Sequence, residues 1–262
     1  MAINIKLYEL IKITDDFSDD RKVGSGGYGD VYKAVYRGEK IAVKLLNSTK
    51  EGIDDEQFKK ELENHMKAQH PNIIRLVGYC NDERKVYIER KDGLSVFGRQ
   101  IFRVLCFEYM PGGSLHTHIS ENSLGDEWRT HYNIIKGICE GLHHLHCGGK
   151  RPILHLDLKP ANILLDMNMV PKLADFGLSR IYTSNLTHVP VDSPAGTWRY
   201  MAPELLKPGG ELSAMADIFS LGVTIIDVIK GSQDFGDYDD NGTAEFIAKV
   251  PTQYCHDVKT VF

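Results

Sequence analysis

Between residues 155 and 177 the chain carries two short strings that leave little latitude for what it can become. The first, His155-Leu156-Asp157-Leu158-Lys159-Pro160-Ala161-Asn162, places a carboxylate, an ammonium and a carboxamide in one loop. The second, Ala174-Asp175-Phe176-Gly177, adds another carboxylate ahead of a glycine. Each polar side chain alone has an ordinary reading as a loop residue that caps or turns the backbone. Together they make up the equipment that phosphoryl transfer from ATP requires. Asp157 would orient a hydroxyl, Lys159 would neutralise the moving phosphate, and Asn162 and Asp175 would supply oxygen ligands to Mg2+.

The upstream sequence adds the matching parts in the right order. Gly24-Ser25-Gly26-Gly27-Tyr28-Gly29-Asp30-Val31 fits Gly-x-Gly-x-x-Gly-x-Val, a pattern whose backbone amides can close over phosphates. A dinucleotide-binding fold offers a similar string, but it needs a helix to open at the glycines, whereas Val31–Tyr36 reads as a second strand. Lys44 lies in the apolar run Ile41–Leu46. A strand lysine ordinarily faces solvent. After a glycine-rich hairpin it reads instead as the cation that grips the nucleotide's inner phosphates. Glu61, on the helix expected from about Asp54 to Gln69, is the carboxylate chosen to aim it, with Glu56 and Glu63 as competitors.

A hydrophobic content of 42%, 26% charged residues and a net charge of −5 describe an ordinary globular chain of 262 residues. The charge gives no nucleic-acid footprint. No apolar run reaches the roughly 18 residues of a membrane span, and Met1–Lys6 lacks the apolar stretch of a signal peptide. Five cysteines without a Cys-x-x-Cys pair argue for a reducing, cytoplasmic setting over a disulfide framework or zinc site. His143, His144, His146 and Cys147 cluster in sequence, but neighbouring helix positions diverge around the axis, so they read as ordinary surface and core residues. A strand-rich first third with one helix, then a helical remainder, implies an α+β chain of two lobes with a cleft between them. Residues 1–20 read as a lead-in segment, 21–108 as the first lobe, 108–113 as a hinge and 114–262 as the second lobe. An extended hairpin is expected over Asn81–Gln100, and helices where Ile134, Ile138, Leu142 and Leu145, and then Ile218, Leu221, Ile225 and Val228, recur at helical spacing. Ser213 is a plausible cap for the latter.

On these motifs the chain resembles a eukaryotic protein kinase, from Val23 to about Gly231. More narrowly it is similar to the intracellular domain of plant receptor-like kinases. That likeness rests on Ile13–Ser18, on His70-Pro71-Asn72-Ile73-Ile74-Arg75-Leu76-Val77-Gly78-Tyr79-Cys80 and on Glu108-Tyr109-Met110-Pro111-Gly112-Gly113-Ser114-Leu115. Asp157–Asn162 is similar to the serine/threonine version of the loop. The resemblance implies a two-lobed kinase fold and transfer of the ATP γ-phosphate to protein hydroxyls. It implies that Glu108 and Met110 offer backbone groups to adenine, that Phe107 gates the pocket behind it, and that Val31, Ala42 and Leu164 sandwich the base, with Val23, Gly24, Gly26 and Gly29 around the nucleotide. Thr197 and Ala202-Pro203-Glu204 would close the activation segment, and Asp217 would tie the long helix to the Asp157 loop. Partners would be a protein substrate and an upstream receptor or co-receptor kinase, at the inner face of the plasma membrane if the chain is part of a longer receptor.

Three departures qualify that expectation. Leu156 stands where many kinases carry an Arg that pairs with a phosphate on the activation segment. Activity is therefore expected not to depend on that pair, although Ser184, Thr187 and Ser193 remain available for phosphorylation. The resemblance places such a chain with the non-RD kinases, several of which serve immune receptors. His65 lies one turn after Glu61, where the family puts an apolar residue near Phe176. It is either satisfied in the core or weakens the Lys44–Glu61 geometry. Finally, no Arg follows Arg199 to pair with Glu204, and the motifs stop after Gly231, so an incomplete second lobe of reduced stability is expected. The alternative reading is a kinase-fold module that holds nucleotide or partners with little or no turnover.

Overall fold

The computed structural model describes residues 2–27, 29–47, 53–89, 95–125, 127–181, 189–190, 196–206 and 211–231. Two compact units emerge. One comprises residues up to Gln69 together with Ile74–Met110, the other His70–Ile73 and residues from Pro111 onward. Ser184, Thr187 and Ser193 lie outside the described residues, as does everything after Gly231.

The first unit is a sheet of six strands in the order β1-β5-β6-β4-β3-β2. The strands are β1 (Ile3–Asn4), β2 (Lys22–Gly26), β3 (Gly29–Tyr36), β4 (Glu39–Leu46), β5 (Leu76–Glu89) and β6 (Ser95–Glu108). All pairings are antiparallel except β1 with β5, which run parallel with Ile3 opposite Gly78. Alternation of side chains gives the sheet two faces. On one, Tyr32, Ala34, Ile41, Val43, Val104 and Cys106 are buried in a common apolar cluster. On the other lie Val31, Ala42, Lys44, Leu105 and Phe107, because Lys44 pairs with Val31 on one side and Leu105 on the other, and Ala42 with Phe107.

The segment expected to precede the domain is folded into this unit. Helix α1 (Leu7–Thr14) inserts Leu7 and Leu10 into the apolar cluster. Asp15, Asp16 and Phe17 then take three successive left-handed conformations that reverse the chain. Thr14 stabilises the reversal: its hydroxyl donates to the Leu10 carbonyl at 2.7 Å and accepts from the Phe17 amide at 3.1 Å. Phe17 then packs against Tyr32 and Phe102, with ring centroids 5.5 and 5.8 Å away. The first unit thus holds α1 beside the expected helix, α2 (Ile53–Lys67). The hairpin expected over Asn81–Gln100 is present as the outer part of β5 and β6, which pair from Leu76 with Phe107 out to Glu89 with Ser95.

The second unit is mainly helical: α3 (Leu115–Ser120), α4 (Trp128–Cys147) and α5 (Ala214–Lys230). Short strands β7 (Ile153–Leu154), β8 (Ile163–Leu165), β9 (Pro171–Leu173), β10 (Arg180–Ile181), β11 (Val189–Pro190) and β12 (Glu211–Leu212) form three two-stranded ladders. Helix α4 buries Ile134, Ile138, Leu142 and Leu145, as its periodicity required. Its glycines let the backbone of Asn72 approach: a Cβ at Gly141 would lie 2.7 Å from the Asn72 carbonyl oxygen. Ser213 caps α5 by accepting from the Met215 amide. The histidines of α4 separate as helical geometry demands: His144 stacks on His70 at 4.9 Å, while His146 turns to Asp217.

Gly141→Ala is expected to destabilise the protein by about 1–3 kcal/mol in urea unfolding, despite alanine's better helix propensity, because the added methyl meets backbone. A second expectation concerns pH. Burial, with His144 adding to it, holds the His70 imidazole below its usual value, so folding favours its neutral form. The resulting stability is complete above the ordinary histidine pKa and is lost as pH falls through the lowered one. Thermal midpoints measured from about pH 7 to about pH 5 should fall, and His70→Gln should flatten part of that fall.

Candidate active site

In the first unit the strand-turn-strand at the glycines is tight. Gly26 pairs directly with Gly29, and Gly29 has φ +148°, a conformation in which a Cβ would collide with the Leu45 carbonyl. At Gly26 and Gly27 an added Cβ would meet nothing within 4 Å, so these two glycines present bare backbone to open space. Its base is held by the Ser25 hydroxyl donating to Asp30 at 2.6 Å and by Lys22 against Asp30 at 2.9 Å.

Lys44 is buried in the central strand β4, and its ammonium donates to Glu61 Oε1 at 2.8 Å. The rival carboxylates are engaged elsewhere on the solvent side of α2, Glu56 with Lys60 and Glu63 with Lys67. Val31 and Ala42 are half-buried on the Lys44 face, Phe107 and Met110 are buried, and Val23 is exposed. The Glu108 amide donates to the Arg75 carbonyl at 3.0 Å. His65 is buried with its ring 4.7 Å from that of Phe107.

In the second unit the polar residues of the 155–162 loop converge on one carboxylate. Asp157 Oδ1 accepts from the Thr197 amide at 3.1 Å and the Thr197 hydroxyl at 3.0 Å. Its Oδ2 accepts from Asn162 Nδ2 at 2.9 Å and lies 2.9 Å from the Lys159 ammonium. Lys159 also donates to the Thr197 hydroxyl at 2.6 Å. Sequence reasoning placed Thr197 only at the end of the activation segment. Its part in this set depends on a contact between residues forty positions apart, which no local pattern announces.

The loop is suspended from α5. Asp217, fully buried, accepts from the His155 amide through Oδ2 and from the Leu156 amide through Oδ1, both at 2.8 Å. His146 adds a third contact at 2.8 Å. His155 accepts from the Asp157 amide at Nδ1 and meets the Ala174 carbonyl at Nε2, which fixes the neutral tautomer with its proton on Nε2. Leu156 sits at φ +64° with its side chain packed against a cluster of Leu154, Met201, Ala202, Leu205, Leu212 and Ala216. Glu204 is exposed and has no ion-pair partner among the described residues. Arg199 instead pairs with Asp227, to which the Tyr200 hydroxyl also donates at 2.8 Å. Burial pushes the Asp227 carboxyl up, against the opposing pull of Arg199.

The residues present suit a hard divalent cation. Asn162 uses its amide nitrogen toward Asp157, both at the backbone carbonyl (2.8 Å) and at Oδ2, which turns its amide oxygen away from that residue. The Asn162 carbonyl also accepts from the Ala174 amide at 2.9 Å, and Ile163 pairs with Leu173, so Asp175 follows directly across the base of the β8–β9 hairpin. Two oxygen donors, with phosphate and water to complete the shell, match the way magnesium is held. Leu164, half-buried on β8, belongs to the same hairpin.

A protein-family model for the protein kinase domain matches residues 17–259. The chain belongs to the protein kinase domain family. The match begins within the segment read as a lead-in and continues past Gly231, beyond the last motif recognised in the sequence. This kinase domain is 37% identical over 241 residues to cysteine-rich receptor-like protein kinase 6 of rice, covering 90% of this chain and 32% of that protein. It is 40% identical over 235 residues to the G-type lectin S-receptor-like serine/threonine-protein kinase SD1-13 of Arabidopsis thaliana, covering 88% and 26%. It is 36% identical over 250 residues to cysteine-rich receptor-like protein kinase 10 of rice, covering 94% and 36%. The chain therefore spans only about a third or less of the length of these relatives. Among the described residues, no helix of this kinase domain is long and apolar enough to cross a membrane.

Asp217→Ala should orphan the His155 and Leu156 amides and cost about 2–5 kcal/mol in urea unfolding, with Asp217→Asn losing distinctly less because its carbonyl still accepts one of them.

Proposed function

We propose that this kinase domain transfers the γ-phosphate of ATP to serine or threonine hydroxyls of a protein substrate, in signalling linked to a receptor. The observation that carries the reading is the convergence of Thr197, Asn162 and Lys159 on Asp157. A carboxylate held through both oxygens has a fixed position, which is what orienting an incoming hydroxyl requires. The substrate hydroxyl donates its proton toward Asp157 as its oxygen approaches phosphorus. Lys159, set between Asp157 and Thr197, balances the negative charge of the phosphoryl group in transit. Lys44, aimed by Glu61, binds the inner phosphates, and the backbone amides of the Gly24–Gly29 turn cover the nucleotide. Asn162 and Asp175 would hold magnesium, which supplies charge neutralisation on the phosphate oxygens.

The hydroxyl-type preference and the receptor setting draw support from the names of the relatives, three of which are receptor-like kinases, one of them a serine/threonine kinase by name. By the same token the chain would act on the cytoplasmic face of a membrane, with an upstream receptor or co-receptor kinase as a partner. Leu156 supports regulation independent of a phosphate–Arg pair: its apolar side chain lies among Met201, Ala202 and Leu205, so apolar packing meets that stretch of chain where a guanidinium would meet a phosphate.

Radiolabel transfer to a generic basic protein tests the reading. Asp157→Asn should lower transfer by about 10²–10⁴-fold while ATP binding is retained. Wild type and variant that both bind ATP and transfer nothing would establish the nucleotide-binding module instead.

A further inference from the structure

Helix α2 has an unusual buried face. Among the residues of α2 whose burial is described, Phe58, Glu61, Asn64 and His65 are turned inward at helical spacing, so Phe58 is the only large apolar side chain in that buried set. A face on which three of these four described side chains are polar draws on directed polar contacts as well as burial. Two of these, among the described residues, come from the sheet. One is Lys44 to Glu61. The other is Arg103, buried on β6, whose Nε donates to Asp55 Oδ1 at 2.8 Å in the first turns of α2.

The two cations share a sheet face. Lys44 pairs with Leu105, and Arg103 lies two residues from Leu105 along the same strand. Their Cα atoms are thus separated by about 8 Å, two residues along and one strand across. On the helix, Asp55 and Glu61 are six residues apart, which is about 9 Å along the axis and about 120° around it. The spacings match, and the angular offset has a consequence. A single ion pair leaves the helix free to roll about that contact, whereas any roll that keeps Glu61 on Lys44 now pulls Asp55 off Arg103.

We infer that Arg103 and Asp55 are positioning residues that set the rotation of α2 and thereby hold Glu61 on Lys44. The guanidinium also holds the Asp55 carboxyl below its usual range, consistent with a bond that persists. The inference rests on the reading of Lys44 and Glu61 as the nucleotide grip, and amide exchange tests it apart from turnover.

The experiment compares the whole chain with Arg103→Met, Asp55→Asn and the double variant, by hydrogen exchange of the α2 amides and by kcat/KM for ATP. Each single change should speed exchange across Asp55–Met66 and lower kcat/KM, both by about fivefold, and the second change should add nothing to the first. Asp55→Glu should stay near wild type, because it keeps the carboxylate. Unchanged α2 exchange in Asp55→Asn, or additive effects in the double variant, overturns the inference. Should Arg103→Met fail to fold, Asp55→Asn decides alone, since that side chain is half-exposed and its replacement is nearly isosteric. Should wild type transfer no phosphate, the exchange cycle still decides about the clamp while the functional reading falls.

Discussion

The carboxylate of Asp217 accepts two successive backbone amides of the loop that carries Asp157, and much of the second unit's geometry hangs from that contact. A loop of this kind has no ladder or helix to satisfy its amides, so a buried acceptor must be brought to it. Helix α5 does so from its first turn, where a carboxylate is also favoured by the unpaired amides of the helix terminus. With His155 and Leu156 pinned, the backbone can hold Leu156 at a positive φ, and the turn that follows delivers Asp157 to Thr197 and Asn162. His146 and the neutral His155 extend the same network to α4 and to the Ala174 carbonyl. The strain of one left-handed leucine is thus absorbed by several hydrogen bonds placed around it.

The first unit solves a different problem with the strict alternation of a sheet. One face is given wholly to apolar packing against α1, and the other carries a buried lysine. An ammonium at such a position is tolerable only when a carboxylate meets it. That requirement explains why α2 presents Glu61 inward where a helix packed by burial alone would present a leucine. Ion pairs from Lys44 and Arg103 thus join the packing of Phe58 and His65 in tying α2 to the sheet.

Leu156 and Arg199 show how the chain around Asp157 is held from two sides. With leucine beside Asp157, the side chain has no polar role to play and joins Met201, Ala202 and Leu205 in an apolar cluster. Nearby, Arg199 and Tyr200 are drawn to Asp227 on α5, which fixes the short turn beginning just after Thr197. The stretch that supplies Thr197 to Asp157 is thus bound both by packing and by a buried carboxylate.

Much of this was readable from the chain, because motifs of short range encode local requirements. The glycine turn, the Asp157–Asn162 loop, the cap at Ser213, the periodicity of α4 and the extended hairpin each follow from neighbouring residues and elementary sterics, whereas along α5 Leu221 and Val228 are buried but Ile218 and Ile225 only half-buried. The choice of Glu61 over Glu56 and Glu63 was a matter of register, and the geometry of α2 on the sheet resolved it. Other features were out of reach for a physical reason: they join residues far apart in sequence whose types carry no distinguishing mark. Thr197 looks like any loop threonine until it stands 3.0 Å from Asp157. Residues 1–20 look like a polar lead-in until a left-handed turn brings Phe17 onto Tyr32 and Phe102. Arg103 looks like a lone charge in the apolar run Phe102–Phe107 until α2 lies across it. The sequence alone determined which groups were on hand for the chemistry and on what kind of backbone they sat. Only the tertiary structure decided which of them meet, because that depends on the packing of faces and not on spacing along the chain.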